Sequence, residues 1–213
     1  QERLFAEMKG RIKEDDSSVP MPDGPWAYSV GYVTGGQYPR LLRGPRGGGE
    51  AAVILDGNRE AEGKSYWQLG DTAHSPDHRL MAYAVDDKGS ELFTIRFRDM
   101  ATGVDLADEI PDTRGGFVWA RDSRTLLYVR LDESHRPLTV YRHTVGTSAS
   151  DDVLVYGEAD SGFYVGVGQT QSGRFLQVIA HDHQTSEIYL LDADRPDGSL
   201  RLVVQGVQRF RLR

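Results

Sequence analysis

One phrase recurs along this chain. His74-Ser75-Pro76-Asp77-His78-Arg79-Leu80-Met81-Ala82-Tyr83 returns as Ala120-Arg121-Asp122-Ser123-Arg124-Thr125-Leu126-Leu127-Tyr128. It returns again as Gln171-Ser172-Gly173-Arg174-Phe175-Leu176-Gln177-Val178, and a degenerate early copy reads Pro22-Asp23-Gly24-Pro25-Trp26-Ala27-Tyr28. Aligned on Asp23, Asp77, Asp122 and Ser172, the copies are 54, 45 and 50 residues apart. Each is a tight turn followed by a β-rich run, so one supersecondary unit has been duplicated. Units of about 40–50 residues built from four strands are propeller blades. Helical solenoids would show apolar spacings of three and four. A meandering β-sandwich would share the short strands but not the periodic phrase.

The strands follow from composition and alternation. In the second unit they span Arg79–Val85, Glu91–Arg98 and Val104–Ile110, with turns at Asp86–Ser90 and Asp99–Gly103. From Phe93 onward apolar and charged residues alternate, which predicts one buried face and one wet face. The third unit gives Leu126–Leu131, Pro137–Thr144 and Val153–Tyr156, and the fourth Phe175–His181, Glu187–Asp192 and Leu200–Gln205. The looser first unit gives Ala27–Val33, Arg40–Arg43 and Ala51–Leu55, the last following the glycine turn Gly47-Gly48-Gly49. Ahead of them, Leu4, Phe5 and Met8 sit at helical spacing. The expected fold is all-β: a partial β-propeller of about four blades of four-stranded antiparallel sheets, preceded by a short helix. Residues 1–20 read as helix and linker and 21–213 as incomplete propeller, with blades near 21–68, 69–114, 115–160 and 161–206.

Composition narrows the function. The chain has 213 residues, no cysteine and a formal net charge of −7. Disulfides, cysteine-based zinc sites and a cysteine nucleophile are therefore excluded, and a cytoplasmic location is expected, with the periplasm as the alternative. The acidic balance disfavours nucleic acid as a partner. No apolar run is long enough for a membrane helix, so no membrane partner is expected. Four blades, with a fifth unit opening at Val207–Arg213, read as a piece of a longer polypeptide. Its open blade edges would favour self-association.

Six motifs in order carry a family resemblance. They are Arg11–Pro20, Ala73–Arg79, Asp86–Leu92, Trp119–Arg124, His135–Pro137 and His181–Glu187. From about Leu4 to about Val204 the chain resembles the prolyl oligopeptidase family of serine peptidases, in its oligopeptidase B (protease II) branch. The resemblance implies a seven-bladed propeller joined to a C-terminal α/β-hydrolase domain that carries Ser, Asp and His. It further implies cleavage of short peptides after Lys or Arg, with the propeller excluding folded proteins. This chain would supply roughly the first four blades, and the hydrolase domain is absent from it. The rival reading is a non-enzymatic, TolB-like propeller that binds proteins.

The residues themselves offer no catalytic, cofactor-binding or metal site. An α/β-hydrolase serine sits in G-x-S-x-G, and no such pentapeptide occurs here; Ser90 and Ser172 read as turn residues. His181 and His183 would share a strand face with Asp182 opposite, but no third ligand stands at a suitable spacing. His74 and His78 flank a turn. Asp192, Asp194 and Asp197-Gly198 miss the calcium-loop spacing. Gly47-Gly48-Gly49 lacks the Lys-Ser/Thr of a phosphate loop. Trp26, Trp67 and Trp119 read as packing between blades rather than a ligand cage. Asp15–Pro20 reads as a linker that can hinge at Ser17 and Ser18.

Overall fold

The computed structural model describes residues 2–204. The chain divides into two compact units, Gln1–Ser65 and Tyr66–Arg213. The expected opening of a fifth unit at Val207–Arg213 lies outside the described residues, as does Gln205.

The first unit opens with helix α1 (Glu2–Lys9), on which nothing is buried. A four-stranded antiparallel sheet follows in the order β1 (Met21–Asp23), β2 (Trp26–Gly31), β3 (Arg40–Pro45), β4 (Ala52–Asp56), with a one-turn helix α2 at Gly57–Glu60. Asn58 in α2 clasps the β2–β3 connection: its Oδ1 accepts from the N–H groups of Gln37 and Tyr38, and its Nδ2 donates to the Tyr38 carbonyl. The linker does not hang free. The Ser18 N–H donates to Val30 O at 2.8 Å, the Val30 N–H to Ser18 Oγ at 3.0 Å, and the Tyr32 N–H to Asp16 O at 2.8 Å. Any hinge movement at Ser17–Ser18 must therefore break pairing with β2.

The second unit holds three blades. The first consists of β5 (Gln68–His74), β6 (Leu80–Asp86), β7 (Phe93–Asp99) and the start of β8 (Asp105–Trp119). β8 is 15 residues long. Its first part pairs with β7 (Ile95 with Ile110) and its last part with β9 (Phe117 with Tyr128), so the outermost strand of one blade runs on as the innermost of the next. The expected short strand Val104–Ile110 is thus half of a longer one. The bend falls at Asp112 and Gly115, which adopt φ of 56° and 90°. Gly115 is required there, since a Cβ would stand 2.8 Å from Phe93 Cγ. The next blade continues with β9 (Thr125–Leu131), β10 (Pro137–Thr144) and β11 (Val153–Gly157). The last has β12 (Tyr164–Gln169), β13 (Phe175–His181), β14 (Ser186–Asp192) and β15 (Arg201–Val204).

The recurring phrase now has a geometry. In three copies a turn closes through N–H···O bonds from His78 to Ser75, Ser123 to Ala120 and Gly173 to Thr170. The residue after the aspartate or serine takes positive φ in each: His78 60°, Ser123 58°, Gly173 67°. Asp77 accepts from the Arg79 N–H, Asp122 from the Arg124 and Thr125 N–H groups, and Ser172 from the Arg174 N–H. The side chain thus closes the turn that its own backbone makes. The degenerate copy differs: Asp23 pairs directly with Trp26 across a two-residue hairpin.

Burial explains why β9 does not alternate from Leu126 to Val129. Leu126 and Tyr128 face a core with Ile95, Phe97, Phe117 and Trp119, while Leu127 and Val129 face another with Val165, Leu176, Val178 and Leu191. A strand covered on both sides loses its alternation. One expectation needs correction here. Glu91 is not in β7 but in the turn before it, at φ 62°. Nor is the charged face of β7 wet along its whole length: Arg96 is half-buried, and Arg98 is 9% exposed, its guanidinium bound to Asp105 and to Tyr83 Oη. A charged residue that is taken out of water stays inside only with a partner.

Candidate functional site

The innermost strands lie side by side in the second unit, β5 next to β8 and β8 next to β12. They are rich in glycine (Gly70, Gly115, Gly116, Gly166, Gly168), and a Cβ on Gly70 would meet Phe93 at 3.0 Å and Ala84 at 3.2 Å. Between blades, Asp71 on β5 and Arg114 on β8 interact through their charges. Burial pushes the Asp71 carboxyl above its usual range, and the Arg114 guanidinium partly offsets this.

Where β12 begins and β13 ends, a cavity of about 390 Å³ is lined by Arg114, Tyr164, His181, Asp182 and His183. Its aromatic wall is stacked. The Arg136 guanidinium carbon lies 4.5 Å from the centre of the Tyr164 ring, and the His181 ring lies 6.1 Å beyond at 29°. Arg136 also donates to the Phe163 carbonyl at 3.3 Å and to Tyr164 Oη at 3.4 Å. Asp182 is spent on its own turn: its Oδ1 accepts from the N–H groups of Thr185 and Gln184 and from Thr185 Oγ1. Those backbone donors hold its carboxyl below the usual range. Arg114 has no hydrogen-bond partner among the described residues.

His181 and His183 therefore do come together, at the end of β13 and in the following turn, and Asp182 lines the same cavity rather than an opposite face. Arg114 and Tyr164 gave no sequence signal, because both stand on glycine-broken inner strands. The remaining residues are structural. Ser90 Oγ and Ser172 Oγ accept backbone N–H groups within their turns. The rings of His74 and His78 lie 4.6 Å apart beside the turn between β5 and β6. Asp192 accepts from the Asp194 N–H, and Asp194 pairs with Arg121 at 3.1 Å. Gly48 and Gly49 take φ of 96° and 136° in the β3–β4 hairpin. Trp67 and Trp119 are buried, and Trp119 Nε1 donates to Ala73 O at 3.1 Å; Trp26 instead carries the Arg43 guanidinium over its face.

A second cavity, about 610 Å³, lies in the first unit between α1 and the residues that follow it, lined by Phe5, Ala6, Ile12 and Lys13 among others. The apolar side of the helix is open, with Leu4, Phe5 and Met8 each more than half exposed.

Comparison with known proteins places these features. Residues 1–211 match the family described as "Prolyl oligopeptidase, N-terminal beta-propeller domain". The chain is 37% identical to dipeptidyl aminopeptidase BI of Pseudoxanthomonas mexicana over 92% of its length and 30% of that protein's. It is 30% identical to protease 2 of Moraxella lacunata, over 95% of this chain and 30% of the relative. The structure of oligopeptidase B from Leishmania major superposes with a TM-score of 0.92 at 30% identity, over 97% of this chain and 30% of that one. The chain thus spans about 30% of the length of the relatives it matches. The match decides between the two propeller readings: this chain belongs to the prolyl oligopeptidase family, matches its N-terminal propeller domain and resembles that part of oligopeptidase B.

Proposed function

We propose that this chain is the size-selecting gate of a serine endopeptidase that cleaves short peptides after Lys or Arg, the catalytic residues lying on further polypeptide. The observation that carries the reading is the likeness to oligopeptidase B along 97% of this chain but only 30% of the other. Blades packed on both faces, as around β9, form a wall that a flexible peptide can pass and a folded protein cannot. Selection of this kind is exclusion by shape. The uncovered apolar side of α1 suits a helix whose partner surface belongs to that further polypeptide.

The test compares this chain with the complete polypeptide of its gene. The complete protein is expected to hydrolyse Lys and Arg esters and short basic peptides, and to leave a folded protein of the same sequence content intact; this chain alone is expected to hydrolyse none. Turnover by the 213-residue chain, or equal cleavage of folded and short substrates, would overturn the reading. A second reading rests on the 37% identity to a dipeptidyl aminopeptidase. It requires a free substrate N-terminus, so an N-acetylated peptide separates the two: an endopeptidase cuts it and a dipeptidyl aminopeptidase does not.

A further inference from the structure

We propose that the cavity lined by Arg114, Tyr164, His181, Asp182 and His183 binds a peptide carboxylate, an inference that rests on the peptidase reading above. In a chain of net charge −7, the cavity lining holds Arg114, His181 and His183 with one acidic group, and Arg136 packs on the lining Tyr164. That group, Asp182, already accepts three hydrogen bonds within its turn. Arg114 is left with unused donors, and the guanidinium fork matches a carboxylate in two parallel bonds. The stacked Arg136–Tyr164–His181 wall is fixed before a ligand arrives, which lowers the ordering cost of binding. The His183 imidazole interacts with Asp182 by charge and donates no hydrogen bond to it.

Of the acidic groups near the cavity, Asp71 opposes Arg114 from β5, and the Asp182 carboxyl is held below its usual range by the donors of its own turn.

The carboxylate has two sources, a peptide C-terminus or an Asp/Glu side chain. Three probes separate them: N-acetyl-tetraalanine with a free C-terminus, the same peptide as its C-terminal amide, and an amidated N-acetyl-tetrapeptide containing one Glu. Each is titrated into this chain while the ring protons of His181 and His183 are followed by NMR. One or both carboxylate peptides are expected to shift these signals, and the amide is not. Arg114→Ala is expected to weaken the binding by about fivefold or more, Arg114→Lys by less. Arg114 is exposed, and unchanged dispersion of the NMR spectrum verifies that the variant is folded. Equal shifts with the amide, or equal carboxylate affinity in Arg114→Ala, would overturn the proposal. The readout needs no hydrolysis, so it can fail while the peptidase reading stands, and the reverse.

Discussion

The third and fourth blades solve one packing problem in opposite ways. At equivalent positions, Leu126 pairs across the sheet with His143 in one and Leu176 with Leu191 in the other. In the third blade His143 is fully buried, its ring nitrogens 2.7 Å from Asp152 and 3.1 Å from Asp108. Tyr128 donates to the other oxygen of Asp152 at 2.7 Å, and Phe97 from the preceding blade stacks on the imidazole at 5.6 Å and 15°. In the fourth blade the same places hold Val178, Leu191 and Leu200, all within one apolar core. The second blade repeats the polar version with Tyr83, Arg98 and Asp105. A buried polar cluster and an apolar one can therefore fill the same volume in one fold. They differ in what a single loss costs, because removing one partner strands the others without water.

The largest expected effect follows from that. Asp152→Ala leaves the His143 and Tyr128 donors unpaired at a site where the Asp152 side chain is 1% exposed. It should cost about 3–5 kcal/mol, read as a fall in the urea midpoint at constant slope. The apolar triple Tyr128→Phe/His143→Leu/Asp152→Leu imitates the fourth blade, leaves Asp108 the Gly146 N–H after the His143 bond is lost, and should cost less than the single change. If the triple is as damaging as Asp152→Ala, the two clusters are not interchangeable solutions.

The sequence reported one side of this comparison and hid the other. The second and third strands of each blade were legible because they are apolar and β-branched: Pro137–Thr144 and Phe175–His181 fall where composition put them. The innermost strands β5 and β12, and the second half of β8, were not. They carry Gly70, Gly115, Gly116, Gly166 and Gly168, and glycine in a single sequence reads as a turn. At Gly70 and Gly115 it is there instead because Phe93 presses close. The cavity's Arg114 and Tyr164 stand on those same strands, so the candidate site was as hidden as its scaffold. His181 and His183 were visible as a pair, but their relation to Arg114 depends on a 67-residue separation that only the packing of β8 on β12 closes. The polar clusters were hidden for another reason. Alternation on β7 marks Arg98 as a surface residue, and nothing local reveals that Asp105 and Tyr83 wait for it.

Acid should act on the polar blades before the apolar one. Burial works against the Asp105 charge, but the hydrogen bonds from Arg98 and Tyr83 outweigh it and hold the carboxyl below the usual range. A carboxyl with a lowered folded-state pKa adds stability above its unfolded value, about 3.9, and loses it as pH falls through the folded value. Stability should thus drop below about pH 4. Asp105→Asn, already weaker at neutral pH, should flatten that drop and shift the acid midpoint by about half a pH unit. Hydrogen exchange should show β6 and β7 opening in acid ahead of β13 and β14. Simultaneous opening of all four strands would mean that the blades unfold as one unit and the contrast is only local.

The smallest effect belongs to the turns, where Asp122 in one blade stands against Ser172 in the other. Asp122 takes the N–H groups of Arg124 and Thr125 at 2.9 Å each and the Thr125 hydroxyl at 2.7 Å. Ser172 takes one N–H at 3.4 Å, and Thr170 carries the rest by accepting the Phe175 N–H at 3.1 Å. The fourth blade also has Gly173 at the positive-φ position where the third has Ser123. Its backbone is therefore relaxed in the turn and needs less help from a cap. Asp122→Ala should cost about 1 kcal/mol, the usual loss when a short polar side chain stops satisfying turn N–H groups. Ser172→Ala should fall within about 0.5 kcal/mol of neutral. Negligible losses at both positions would show that the phrase is held by its backbone alone, and that the aspartate marks the repeat without stabilising it.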